Sequence, residues 1–281
     1  MINLLNTIPS TQAAIRKEIG NGKTIGFVPT MGALHEGHLV LIRRAVAEND
    51  FVVVSIFVNP IQFNNPDDLA KYPRTLETDL KMLESTGCHL VFAPSAEEMY
   101  PEPDRSEFDF GKLDKVMEGK FRPGHFNGVA IVVKKLFEIV SPHKAYFGEK
   151  DFQQLAIIKN MVSQLNLPVH IVPCPIVREP DGLAMSSRNT RLSPKERSEA
   201  LIIFKALSGI SENYSWFIPD GVKQLVRGEI QESPLFRVEY VDVVDTETLQ
   251  PFEDWNDVEH AVVCVAAFIG SVRLIYNIKL F

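Results

Sequence analysis

The stretch FVVVSIFV (51–58) is apolar at nearly every position. A strand that does not alternate between polar and apolar residues is buried on both faces, and such strands belong to parallel sheets covered by helices. The flanking sequence supplies the rest of that arrangement. TIGFVP (24–29) is another short apolar run, followed by the helical pattern GHLVLIRRAVAEN (37–49). HLVFAP (89–94), KAYFG (144–148) and PVHIVPCP (168–175) read as further strands. Helices are expected near 75–86, where Gly87 can end the turn, and over 128–140 and 151–166. Repeated strand–helix alternation predicts a doubly wound parallel α/β sheet.

The pattern changes after about residue 177. FRVEYVDVVD (236–245), HAVVCVAAFIG (260–270) and VRLIYNIKL (272–280) read as strands without long helices between them. They predict a smaller C-terminal α+β domain with an antiparallel sheet. The expected division is therefore 1–176 and 177–281. LSPKERSEA (192–200) carries a capping box, with Ser193 as N-cap, Pro194 at the first helical position and Glu196 three residues after the cap.

The chain of 281 residues is long enough for a large core, and 45% hydrophobic with 23% charged residues is ordinary for a globular enzyme. A formal charge of −7 gives no support to nucleic-acid binding. Cys88, Cys174 and Cys264 lie in apolar, strand-like contexts and read as buried thiols rather than a disulfide framework or a zinc site. MINLLNTIPSTQ lacks the basic start and apolar run of a signal peptide, and AVVCVAAFIG is too short to span a bilayer. A cytoplasmic protein with no membrane partner is the expectation.

Four segments carry candidate chemistry. PTMGALHEGH (29–38) follows the first expected strand. Gly32 and Gly37 permit close approach or unusual dihedrals, and a helix starting near Gly37 would aim free N–H groups, with His35 and His38, at a phosphate. A glycine-rich turn with surface histidines explains the same spacing, and both readings stay open. HEGH is not the zincin pattern and lacks a third ligand, which makes metal ligation the weaker reading. FGEKDFQQ (147–154) again joins a strand to a helix. There Lys150 can hold a phosphate, Asp151 can serve as an N-cap, and Gln154 can point into the cleft. MSSRNTR (185–191) places adjacent hydroxyls and an arginine at the domain junction, either as an anion clamp or as a polar turn leading into the Ser193 cap. The long loop within 55–74 carries Asn59 and Gln62, neutral amides able to orient hydroxyls or a carboxylate.

Taken together and in this order, PTMGALHEGH, FVNPIQF, YPRT, RPGHFNGV, YFGEKDFQQL and LAMSSRN resemble the signature segments of the AMP-forming pantoate–β-alanine ligase (pantothenate synthetase) family. YVDVVDTETL is similar in the C-terminal part. The resemblance implies a Rossmann-like sheet of nucleotidyltransferase type, a smaller C-terminal domain that closes over the site, and a homodimer. It implies that pantoate and ATP form a pantoyl adenylate, which β-alanine then attacks to release AMP.

By resemblance, the ATP-binding set runs through Met31, Gly32, Ala33, Leu34 and His35, then Glu36, Gly37 and His38. It continues at Gly148, Glu149, Lys150 and Asp151, and at Val177, Met185, Ser186, Ser187 and Arg188. His38 is the implied proton donor, with His35, Lys150, Ser186, Ser187 and Arg188 neutralising phosphate charge. Gln62 and Gln154 would hold pantoate, and Gln62 would also border the β-alanine site. No dedicated protein metal site is expected, because Mg²⁺ would be held mainly through ATP phosphates. The rivals are another cofactor-biosynthesis nucleotidyltransferase of the same fold, and a catalytically silent nucleotide-binding protein.

Overall fold

The computed structural model describes residues 2–281, which form two units. The first takes in the chain up to Phe110 with Arg122–Glu149 and Gln154–Pro175. The second comprises Gly111–Phe121, Lys150–Gln153 and Ile176–Phe281.

Six strands build the first unit: β1 (Asn3–Leu5), β2 (Ile25–Thr30), β3 (Phe51–Ile56), β4 (Leu90–Phe92), β5 (Lys144–Gly148) and β6 (His170–Cys174). Every pairing is parallel, in the order β1-β4-β3-β2-β5-β6. Val52, Val53 and Val54 of β3 are fully buried, as a strand without alternation requires. From β2 the chain winds outward through β3 and β4 on one side, then returns to add β5 and β6 on the other. The order reverses between β2 and β5, and in open α/β sheets ligands sit outside the carboxyl ends of the strands at such a point. The residues that leave those two strand ends are the histidine motif and the segment starting at Glu149.

The helix Glu36–Glu48 places Leu39, Ile42 and Ala45 in one apolar stripe, packed in the same core as Val28, Val52 and Val54. The valine-rich segment near 128–140 is helical over His125–Val140. Twelve of its sixteen residues are buried, and burial outweighs the weak helix preference of its β-branched residues. Sequence patterning did not anticipate β1 or the helix Ile8–Gly20. The strand has only three residues, two of them exposed, so it carries no apolar run.

In the second unit β7 (Phe236–Asp245), β8 (Ala261–Ile269) and β9 (Val272–Lys279) form the expected antiparallel sheet, with a bulge between Val238 and Tyr240. The helices Leu201–Asn213 and Pro219–Gln231 bury Ile203, Leu207, Val226 and Ile230 in a core with Val243, Val263 and Val265. Tyr240 stacks on Phe121 of the excursion Gly111–Phe121, with ring centroids 5.7 Å apart. The Ser193 capping box forms as expected: Ser193 Oγ accepts the Glu196 N–H at 3.3 Å, and Glu196 Oε2 accepts the Ser193 N–H at 2.8 Å. All three cysteines are free and buried. Burial pushes the Cys88 thiol up to about 12.

Candidate active site

The histidine motif leaves β2 through two left-handed residues, Gly32 at φ +79° and Ala33 at φ 49°. Thr30 ties the strand end to β3 by donating to the Ser55 carbonyl at 2.7 Å, and its Oγ1 accepts the Gly32 N–H at 3.2 Å. The helix then starts at Glu36 with His35 as N-cap, one residue earlier than expected. Gly37 is an ordinary residue of the first turn, so the unusual backbone belongs to Gly32 and Ala33.

The two imidazoles lie 4.1 Å apart between centroids. His38 Nδ1 accepts the His35 N–H at 3.3 Å, which leaves the proton of a neutral His38 ring on Nε2, as a donor. First-turn N–H groups have no intrahelical acceptor, and here those of Glu36 and Gly37 stand beside the histidines at the positive end of the helix.

Gln62 closes the short turn Pro60–Gln62 and is buried. A chain of polar contacts fixes its amide. Tyr100 Oη donates to Asn59 Oδ1 at 2.9 Å, and Asn59 Nδ2 donates to Gln62 Oε1 at 3.1 Å and to the Gly128 carbonyl at 3.1 Å. His125 Nδ1 lies 2.8 Å from the Gln62 carbonyl. Because Oε1 accepts from Asn59, the NH₂ of Gln62 is turned toward Met31, whose Sδ is 3.3 Å away. Gln62 therefore offers donors, suited to a carboxylate or hydroxyl oxygen.

Beyond β5, Gly148 ends the strand and Glu149–Asp151 form a 3-10 turn leading directly into the helix Phe152–Gln164. Gln154 is half-buried, whereas its neighbour Gln153 is buried. Gln153 is structural. Its Nε2 donates to the Leu113 and Val116 carbonyls at 2.7 and 2.9 Å, and its Oε1 accepts the Glu118 N–H at 2.9 Å. The Lys150 carbonyl accepts from Asn277 Nδ2 at 2.9 Å. Glu118 in turn receives both terminal nitrogens of Arg273, at 2.7 and 2.8 Å, and the Tyr240 hydroxyl at 2.9 Å. Burial opposes the Arg273 charge, but the bonds to Glu118 and Glu239 outweigh it and raise the guanidinium pKa.

Val177 and Met185 face each other across a short hairpin, with the Met185 N–H on the Val177 carbonyl at 3.0 Å. Gly182 turns the hairpin at φ +97°, where a Cβ would strike the Phe204 ring at 2.1 Å. Arg178 lies 4.5 Å from the centroid of that ring. Ser186 caps the following turn Ser187–Arg191, its Oγ accepting the Arg188 N–H at 3.3 Å. The hydroxyl of Ser186 thus serves the turn as an acceptor and keeps its own proton for donation.

The first unit carries the histidine motif, Gln62, Gly148, Glu149 and Gln154, and the second carries Lys150, Asp151, Val177 and 185–188. Sequence reasoning missed Asp79, Tyr100 and Asn277, which touch the candidate residues Ala33, Leu34, Asn59 and Lys150 from distant parts of the chain within the same unit. Among the described residues, no cluster of three or more His, Cys, Asp or Glu side chains is arranged to hold a metal. Likewise, no helix among the described residues is long and apolar enough to cross a membrane.

A six-stranded parallel sheet with its switch point at a histidine-bearing helix start fits an α/β fold of nucleotidyltransferase type. Residues 3–279 match the pantoate-beta-alanine ligase family. The chain belongs to that family. A pantothenate synthetase of Phocaeicola vulgatus is 55% identical over 279 residues, covering 99% of each chain. One from Porphyromonas gingivalis is 53% identical over 278 residues, again with 99% of each covered. Among solved structures, the pantothenate synthetase of Thermus thermophilus superposes with a TM-score of 0.93 at 44% identity, over the whole of both chains. The Francisella tularensis pantoate-beta-alanine ligase, complexed with beta-gamma ATP and beta-alanine, gives 0.83 at 34% identity, over 100% of this chain and 98% of that one.

Proposed function

We propose that the chain condenses pantoate with β-alanine at the expense of ATP, through a pantoyl adenylate, releasing pyrophosphate and AMP. The observation that carries this reading is the family match, which runs from residue 3 to residue 279. A pantoate carboxylate oxygen attacks the α-phosphorus, and the bond to the bridging oxygen breaks as pyrophosphate leaves with its electron pair. The β-alanine amine then attacks the acyl carbon, loses a proton, and AMP departs.

The residues suit those demands. Phosphoryl transfer relies on positioning and on neutralising charge as it moves toward the leaving group. His38, with its proton on Nε2, donates to a phosphate oxygen, and the Glu36 and Gly37 amides add the helix-terminal field. His35 shares that role. Lys150 contacts phosphate as a compact charge, and Ser186, Ser187 and Arg188 supply donors for departing pyrophosphate. Gln62, its NH₂ oriented by Asn59, holds pantoate together with Gln154 and borders the β-alanine position. Met31 and Val177 line the nucleotide pocket, Gly148 and Asp151 contact its adenosine part, and Glu149 and Met185 complete the ATP-binding set. Mg²⁺ enters with ATP as the substrate complex.

The same reading carries a homodimer, a cytoplasmic location and a functional division near residue 176, each implied by the resemblance of the signature segments, with residues 111–121 and 150–153 joining the C-terminal unit. Sedimentation of the purified chain tests the dimer. For the reaction, purified protein with MgATP, pantoate and β-alanine should yield equal AMP and pantothenate, and pyrophosphate exchange into ATP should require pantoate. Exchange without pantoate would point instead to another nucleotidyltransferase activity, and no AMP with all substrates present would sink the ligase reading.

A further inference from the structure

A single carboxylate holds the loop that leads into the two histidines. Asp79, on the helix Leu76–Glu84, has only 1% of its surface exposed. Its Oδ2 accepts the Ala33 N–H at 3.0 Å, and its Oδ1 accepts the Leu34 N–H at 2.9 Å and the Thr75 hydroxyl at 3.2 Å. The left-handed pair Gly32 and Ala33 turns two successive N–H groups onto this one side chain, an arrangement that favours an anion. The left-handed region is disfavoured for a residue with a Cβ, so Ala33 needs an outside contact to stay there. Gly32 is required on the same account, since a Cβ at that position would meet Asp79 Oδ2 at 3.0 Å.

Two amides of the glycine-containing loop are thus already taken by the protein's own anion. The next residue is His35, whose N–H meets His38 Nδ1. We infer that Asp79 is a positioning residue for adenylate formation: it fixes Ala33 and Leu34 so that the His35 N–H sets the His38 tautomer. In that arrangement phosphate binding falls to the Glu36 and Gly37 amides and His38 Nε2, not to the loop amides. The inference rests on the ligase reading for the step affected, but its geometric content does not.

The test separates the two. In the wild-type chain, amide hydrogen exchange should show Ala33 and Leu34 protected before any nucleotide is added, with Glu36 and Gly37 gaining protection only with MgATP. A gain at Ala33 or Leu34 on adding MgATP would overturn the assignment, whatever reaction the enzyme runs. Asp79→Asn keeps the shape and one acceptor oxygen, and its amide nitrogen then faces one of the two N–H groups. Pantoate-dependent pyrophosphate exchange in this variant should fall about 10- to 100-fold, the scale of a lost bond to a charged group. The KM for pantoate should stay within about twofold, since Gln62 is untouched. Imidazole ¹⁵N shifts should show His38 as the Nε2–H form in the wild type and as a tautomer mixture in Asp79→Asn. Thr75→Val, which removes one bond to Asp79 and leaves the loop amides alone, should lie between. Unchanged exchange with an unchanged His38 signature in a folded Asp79→Asn enzyme would return Asp79 to an ordinary buried cap.

Discussion

Gly128 lies against Gln62 so closely that a methyl group at position 128 would meet the Gln62 Cα at 2.9 Å and the Ile61 carbonyl at 2.5 Å. The absence of a side chain on one helix thus sets where the candidate pantoate ligand sits. Gly128→Ala should cost roughly 1–3 kcal/mol of stability through overpacking. It should also raise the KM for pantoate more than that for ATP. Equal changes in both constants, or none, would show that the turn Pro60–Gln62 yields without moving the amide.

His38→Ala removes a donor that the His35 N–H orients. Adenylate formation should slow on the order of 10²-fold or more, as when one preorganised transition-state donor is deleted. Single-turnover AMP release from separately prepared pantoyl adenylate should change far less. Normal turnover in this variant would make the histidines part of a turn and nothing more.

Ser193→Ala removes the hydroxyl half of a capping box remote from the histidine motif in sequence, and leaves the backbone N–H at 193 bonded to Glu196. The expected loss is about 0.5–2 kcal/mol in urea unfolding, with kcat held within about twofold. A large drop in rate at unchanged stability would mean that the serine has work beyond the helix end.

His89 supplies the pH dependence. Its Nδ1 accepts the Val52 N–H at 3.0 Å and its ring stacks on Phe51, 5.0 Å between centroids. Burial, followed by the Lys23 charge, lowers its pKa below the ordinary value. The neutral ring's contribution is therefore complete above about pH 6.5. It is lost as pH falls through the lowered folded-state value, because the unfolded chain takes up the proton first. Urea midpoints should fall between pH 7.5 and 5.5, and His89→Gln should flatten part of that slope. An identical slope in the variant would assign the effect to other groups.

Local grammar was readable, and partnerships across long separations were not. The capping box at Ser193 lies within four consecutive residues, and β3 announces its burial by composition. The histidine motif was visible because its glycines and imidazoles are themselves unusual. Asp79 was not, since an acidic residue in the first turn of an amphipathic helix is unremarkable until the Ala33 and Leu34 amides arrive beside it. Glu118 sits in a stretch with no periodicity and meets an arginine 155 positions later. The expected left-handed freedom of Gly37 went instead to Ala33, because His35 caps the helix and places Gly37 inside it.

The bond between Glu118 and Arg273 bears on how the chain can be made and divided. The polypeptide passes from one unit into the other at 110/111, 121/122, 149/150, 153/154 and 175/176. During synthesis the carboxylate at 118 waits for the last strand before it finds its guanidinium. A fragment ending at Pro175 would keep that acid, and Gln153 beside it, without the sheet that neutralises and covers them. The two units are accordingly not cassettes to be cut at one linker and exchanged between relatives. Recombination that respects the fold must move residues 111–121 and 150–153 together with the C-terminal hundred.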